Sequence, residues 1–259
     1  MRKNQAQRHD FIPFYALSLQ KELLYMDSIV SGLIQALYLL VNGDAEVYEV
    51  AFLTVKVSGW ATLISVGLGI PVGLWLALKD FPGKNLCISF INFGMGLPPV
   101  VVGLFVSLFL WRYGPLGMLG LMYTVWAMII AQAVIASPIV AGLSFAALSG
   151  LNPKLRLQLL SLGATEWQAN WLLIKEAKMG LLAAVMAGFG GVISEVGASM
   201  MVGGNIKGET RVLTTATVME VSKGNYDMAL AFSFVLLIVA YAIVALLTYM
   251  QNDGKREIV

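Results

Sequence analysis

From Val57 to Leu78 the chain carries no Asp, Glu, Lys or Arg, and the same holds for Asn85 to Trp111, Tyr113 to Pro153 and Met228 to Gln251. Met179 to Ile206 carries a single charge, Glu195. A hydrocarbon core of about 30 Å takes roughly 20 apolar residues in helical form. No water is present there to satisfy peptide groups, so each run must close its own hydrogen bonds as a helix. These runs leave little choice of fold. A chain built from them is an all-α integral membrane protein.

Composition agrees. Of 259 residues, 58% are apolar and 12% charged, with a mean hydropathy of +0.79, whereas soluble domains are roughly a quarter charged. The net charge of +2 argues for no nucleic-acid partner. The lone Cys87 forms no disulfide within the chain, and the lone His9 reads as a solvated residue of a polar tail. A His/Cys metal site is excluded on the same ground, and no cofactor motif is present. An enzyme embedded in the membrane would need converging acids, nucleophiles or ligands, and the runs offer little beyond Glu195.

The spans are placed at about 50–78, 85–111, 121–148, 179–204 and 228–251, within a membrane domain of residues 28–251. Polar tails of residues 1–27 and 252–259 flank it. Pro71 should kink the first span, Pro98-Pro99 should break the second, and Pro138 lies in the third. Many of the 26 glycines are expected to let helices approach closely. Asp10 and Lys21-Glu22 interrupt any signal-peptide core. From Ser28 to Val41, Ile29, Leu33, Leu37 and Leu40 recur at helical spacing, which suits a helix lying in the interface. A short sixth span from Leu23 to Val41 remains open, despite Asp27.

Orientation follows the basic residues. Lys79, Lys84, Lys154, Arg156, Lys175, Lys178, Lys255 and Arg256 share one face, against Lys56, Arg112, Lys207, Arg211 and Lys223 on the other. This makes the first face cytoplasmic. With five spans the tail residues Arg2, Lys3, Arg8 and Lys21 join the second face and cancel the bias, which a sixth span would restore.

The connector Gly150 to Lys178 is the polar interruption with most structure. Asn152-Pro153 suits a helix start. Leu155, Leu159, Leu160 and Leu162 would form a stripe, and Gly163 would end the helix at positive φ. A second short helix would follow from Glu166 to Lys178. Such a pair at a membrane face is either a docking surface for another subunit or an ordinary interfacial loop.

The connector resembles the loop of binding-protein-dependent ABC importer permeases whose pattern runs Glu-Ala-Ala, three residues, Gly, nine residues, Ile, one residue, Leu-Pro. Gly163 takes the glycine position; the first triplet reads Leu157-Gln158-Leu159 and the closing pair Lys175-Glu176. Lys79 to Lys84, Gly96-Leu97-Pro98-Pro99-Val100-Val101-Val102-Gly103 and Ile193-Ser194-Glu195-Val196-Gly197-Ala198 resemble segments of the molybdate, sulfate and tungstate permeases. The Gly96 to Gly103 run, Lys175-Glu176-Ala177, Met201 to Asn205 and Thr210-Arg211-Val212-Leu213-Thr214-Thr215 look most like the tungstate type. The likeness covers roughly Ser28 to Gln251. Relatives often carry an arginine where this chain has Gly191, so no role of that arginine carries over.

The resemblance implies a permease subunit without catalytic site or cofactor, in a bacterial or archaeal cell membrane, importing an oxyanion. Tungstate is the first expectation, with molybdate or sulfate as alternatives; a channel working alone would have no use for a docking connector. Implied partners are a second copy of the chain, two cytoplasmic ATP-binding subunits and an extracytoplasmic anion-binding protein. Leu155, Leu159, Leu160, Gly163, Ala164 and Glu166 would couple to the ATPase. Pro98, Pro99, Ser194, Glu195 and Gly197 are placed around the translocation path, since broken helices are tolerated in a membrane where they line a cavity. A carboxylate repels an oxyanion, so Glu195 is expected to bond a neighbouring helix or the second chain, not the cargo.

Overall fold

The structure, a computed structural model, describes residues 30–256, and every regular element among them is helical. Helix α1, Val30–Val41, leads through a turn to α2, Ala45–Leu78, whose start is capped by the Asp44 carboxylate accepting from Val47 N–H at 3.0 Å. There follow α3, Lys84–Met95, and α4, Pro99–Leu110, which meet at 100°. After a 3-10 turn come α5, Val125–Ser149, then α6, Pro153–Ser161, α7, Glu166–Glu176, and α8, Lys178–Ile193. A bend of 59° separates α8 from α9, Gly197–Gly203. The chain closes with α10, Leu213–Ser222, and α11, Tyr226–Arg256.

Among the described residues three helices, α2, α5 and α11, are long and apolar enough to cross a membrane, and there are up to five spans if each bent pair counts as one. The second run is thus two half-helices at a right angle, a sharper break than a kink. The fourth run also breaks, which its sequence did not announce. The third helix begins at Val125 and not near Leu121, because Thr124 caps it by accepting from Ala127 N–H. Helices α2 and α5 continue through Pro71 and Pro138. Helix α11 continues past Gln251 into the segment expected as a tail. The 1–27 tail with His9, and the first residues of any sixth span, lie outside the described residues.

The hub is α5, which packs against α2, α3, α4, α8 and α9, with Ala127, Met128, Ala131 and Ala136 wholly buried. Its most extensive contact is with α2. A Cβ on Gly73 would stand 2.7 Å from the Ala141 carbonyl oxygen and 2.8 Å from Ser144 Cβ. Helices in lipid gain no hydrophobic drive from association, so such backbone approach is what holds them. Away from this seam large apolar side chains such as Phe52, Phe90, Leu237 and Tyr241 stand exposed, as a lipid-facing surface requires.

The two ends of the bundle are distinct. At one, Leu74 and Leu78 of α2 pack with Leu148, Leu155 and Leu173, and Gln251 Nε2 donates to the Met179 carbonyl at 3.4 Å. This end gathers the Lys79–Lys84 loop, the connector and the end of α11. At the other, Glu46 pairs with Lys207 at 2.6 Å and Arg211 at 3.5 Å. Helix α1 is tied here at both ends: Ser31 Oγ donates to Asp227 Oδ1 at 3.2 Å and Tyr48 OH to the Leu40 carbonyl at 2.7 Å.

Candidate functional site

The two helix breaks face each other across a cavity of about 350 Å³. In the first, Gly96 N–H turns back to the Phe93 carbonyl at 3.0 Å, and Pro98 is extended (φ −61, ψ 124). Pro99 then opens α4, where a missing N–H costs nothing. The Pro98 carbonyl starts the new helix, accepting from Val101 and Val102 at 2.9 and 3.2 Å.

The second break has no proline. Ser194 Oγ donates to the Gly190 carbonyl at 2.8 Å, a back-bond that competes with the helix ladder. Glu195 is buried; its Oε1 accepts from Ala198 N–H at 2.8 Å, and its backbone carbonyl accepts from Thr214 Oγ1 at 3.1 Å. One turn further on, Gln132 Nε2 of α5 donates to Ser199 Oγ at 2.8 Å.

Pro98, Pro99, Ser194 and Glu195 all line the cavity, with Gly94 to Leu97, Ile135, Ile139 and Gly191 among the other walls. Gly197 stands directly behind: a Cβ there would meet Val100 Cγ2 at 2.5 Å and Glu195 Oε1 at 3.5 Å. The five residues placed around a path by sequence therefore converge. The lining holds no Lys or Arg, and Gly191 projects no side chain into it. The lining presents backbone, a hydroxyl and apolar wall, while the Glu195 carboxylate is turned toward the first turn of α9, where the helix dipole favours it. Neither Thr214 nor Gln132 is among the path residues expected from sequence; the signal available for Gln132 is that it is the one amide within the apolar stretch Val125–Ser149.

At the basic end the connector forms two short helices. Asn152 Oδ1 accepts from Lys154 N–H at 3.0 Å and Pro153 opens α6. Its end is a Schellman turn: Ala164 N–H reaches the Leu159 carbonyl at 3.1 Å and Gly163 N–H the Leu160 carbonyl at 3.0 Å, with Gly163 at φ +89. Thr165 and Gln168 then form a reciprocal capping box for α7. Arg156 on α6 is ion-paired with Glu166 on α7.

The expected leucine stripe divides. Leu155 packs with Leu148 and Leu173, and Leu159, Leu160 and Ala164 are half-buried. Leu157 and Leu162 are the exposed leucines of α6 and its closing turn, at 63% and 85%. With Lys154, Gln158 and Ser161 they line an open groove. Glu166 and Gly163 are exposed beside it.

Residues 69–253 match the family described as binding-protein-dependent transport system inner membrane component. The chain is 41% identical over 228 residues to the tungstate uptake system permease protein of Peptoclostridium acidaminophilum, covering 88% of this chain and 100% of that one. It is 38% identical over 203 residues to a probable anion ABC transporter permease protein of Haloferax volcanii, covering 76% of this chain and 88% of that one. In fold it is similar to a chain of an inward-facing methionine ABC transporter, with a TM-score of 0.65 at 21% identity, over 84% of this chain and 96% of that one.

Proposed function

The chain belongs to the family of binding-protein-dependent transport system inner membrane components, and on that premise we propose that it is the membrane-spanning subunit of an ATP-driven tungstate importer. It is a multi-pass membrane protein, and membership implies an ATPase and a binding protein as partners. The observation that carries the anion is the 41% identity spread over the whole of a tungstate uptake permease. The cavity supports it, since it joins both helix breaks and presents no cation that would trap the cargo.

In the proposed cycle two copies of this chain stand between two ATPase subunits and one binding protein. The binding protein selects the anion and delivers it at the Glu46 end. Pro98, Pro99, Ser194, Glu195 and Gly197 surround its passage. ATP-driven closure of the ATPase pair is received by the connector, with Gly163, Ala164 and Glu166 shaping the contact. Leu157 and Leu162 seat in the partner, while Leu155, Leu159 and Leu160 pass the displacement to α5 and α8.

The test is uptake by the complete transporter in proteoliposomes, with tungstate, molybdate and sulfate offered singly and in competition. ATP-dependent tungstate uptake resistant to excess sulfate is expected. Preferential uptake of molybdate or sulfate would reassign the cargo and leave the permease role in place. Uptake without an ATPase subunit would sink the importer reading.

A further inference from the structure

The segment Thr210-Arg211-Val212-Leu213-Thr214-Thr215 lies at the Glu46 end, and its polar side chains are spent on fastening. Thr210 is wholly buried; its Oγ1 donates to the Gly203 carbonyl at 2.6 Å and accepts from Ile206 N–H at 2.9 Å. Arg211 reaches Glu46 on α2. Thr215 Oγ1 accepts from Val212 N–H at 3.1 Å, and Leu213 N–H donates to Thr54 Oγ1 of α2 at 2.9 Å. The start of α10 is thus fixed to the outer part of α2.

Thr214 does something different. Its hydroxyl leaves α10 and donates to the Glu195 carbonyl, at the point where α8 and α9 part. In an unbroken helix that carbonyl would receive the N–H of Ser199. The bend removes this partner, and a buried carbonyl without a donor is costly. Thr214, itself buried, supplies the donor from another element.

We propose that Thr214 is a positioning residue for transport. Its hydroxyl holds the α8–α9 break, and with it the Ser194–Glu195 wall of the cavity, in register with α2 and the outer ion pairs. A displacement of the outer end reaches the cavity wall directly through this hydrogen bond, whereas the Thr210 bond to Gly203 meets only the far end of α9. The inference rests on the importer reading and adds to it a link between the outer surface and the passage.

The test uses permease, ATPase subunits and anion-loaded binding protein in proteoliposomes, and reads anion imported per ATP hydrolysed. Thr214→Val keeps the shape and loses the donor, and Thr214→Ser keeps the donor. Thr217→Val is the control, since that hydroxyl is spent on the Leu213 carbonyl within α10 at 2.9 Å. Import per ATP is expected to fall about tenfold in Thr214→Val, as for loss of one buried hydrogen bond, with Thr214→Ser within about twofold of native. A native ratio in Thr214→Val, or a serine variant as defective as the valine one, overturns the assignment. Thr214→Ala takes the same comparison if the valine chain is not recovered in the membrane.

If the native complex imports no anion, the importer reading falls. The positioning role is then read on the permease itself, from thiol labelling of Ser194→Cys in a Cys87→Ser background. Labelling is expected to quicken with Thr214→Val and not with Thr217→Val. Equal rates in all three would overturn it.

Discussion

The Cβ that Gly103 lacks would stand 2.6 Å from the Cα of Ala198, so α4 and α9 touch backbone to backbone beside the cavity. A larger residue at Gly103 must push the two half-helices apart. Gly103→Val is expected to lower stability by about 1–3 kcal/mol or more, the cost of overpacking, with Gly103→Ala losing less. Thermal unfolding of the solubilised protein measures it. Uptake should fall with it, because the displaced helices carry both breaks.

Leu162 and Leu155 lie on the same connector but differ in burial. Leu162 is 85% exposed, whereas Leu155 belongs to a packed cluster. Leu162→Asp should leave unfolding within about 0.5 kcal/mol of native, as surface changes do, yet reduce copurification with the ATPase and abolish uptake. Leu155→Asp should destabilise the chain itself, since it buries a charge without a partner. If Leu162→Asp binds the ATPase normally, the groove beside it is not the docking surface.

Glu195 offers a test of charge against shape. An amide oxygen can still accept the Ala198 N–H, so Glu195→Gln keeps the cap while removing the negative charge from the wall. Anion uptake is expected to stay at or above the native level. Glu195→Ala loses the cap and should cost about 1 kcal/mol. Reduced uptake by a well-folded glutamine variant would mean that the charge itself is required.

Outside the spans, Glu220 carries a pH dependence. The hydrogen bond from Lys223 at 2.7 Å holds its carboxyl below the ordinary glutamate value of 4.5, against the opposing effect of burial; Asn225 at 3.0 Å assists. A lowered folded value means stabilisation that is fully present above the unfolded value and lost as pH falls through the folded one. The difference in melting temperature between native and Glu220→Gln should therefore be constant near neutrality and vanish in acid below 4.5. A difference that grows on acidification would contradict this pairing.

The spanning helices α2, α5 and α11 are legible because charge-free length is itself the physical requirement for crossing a bilayer. The break at Pro98-Pro99 is legible because proline cannot donate. The break at Ser194 to Val196 is not, because side chains make it: Ser194 bonds backward and Glu195 bonds forward. Helix α10 escapes a reading by composition, since Thr214, Thr215, Thr217, Val218 and Val221 are poor helix formers. Packing against α11 and α2 stabilises it instead.

The residues expected around a path lie together because ionisable groups and prolines in apolar runs are costly unless a cavity or a partner accommodates them. The face of α6 was harder. Periodicity groups Leu155, Leu159 and Leu162, but which leucines turn inward depends on how α6 meets α5 and α7, and the Arg156–Glu166 pair and the Gly163 turn that join α6 to α7 are not read from hydrophobic spacing.

The contact of Gly73 with Ala141 has a mechanical consequence. Two helices in backbone contact share one load and resist sliding, so α2 and α5 behave as a single stiff beam through the membrane. Compliance is then confined to the right-angled joint at Gly96 to Pro98 and the shallower one at Ser194 to Val196. On the proposed coupling, a push on the connector, which sits at the foot of that beam, would tilt the beam as a unit and be converted to motion where the two joints face each other.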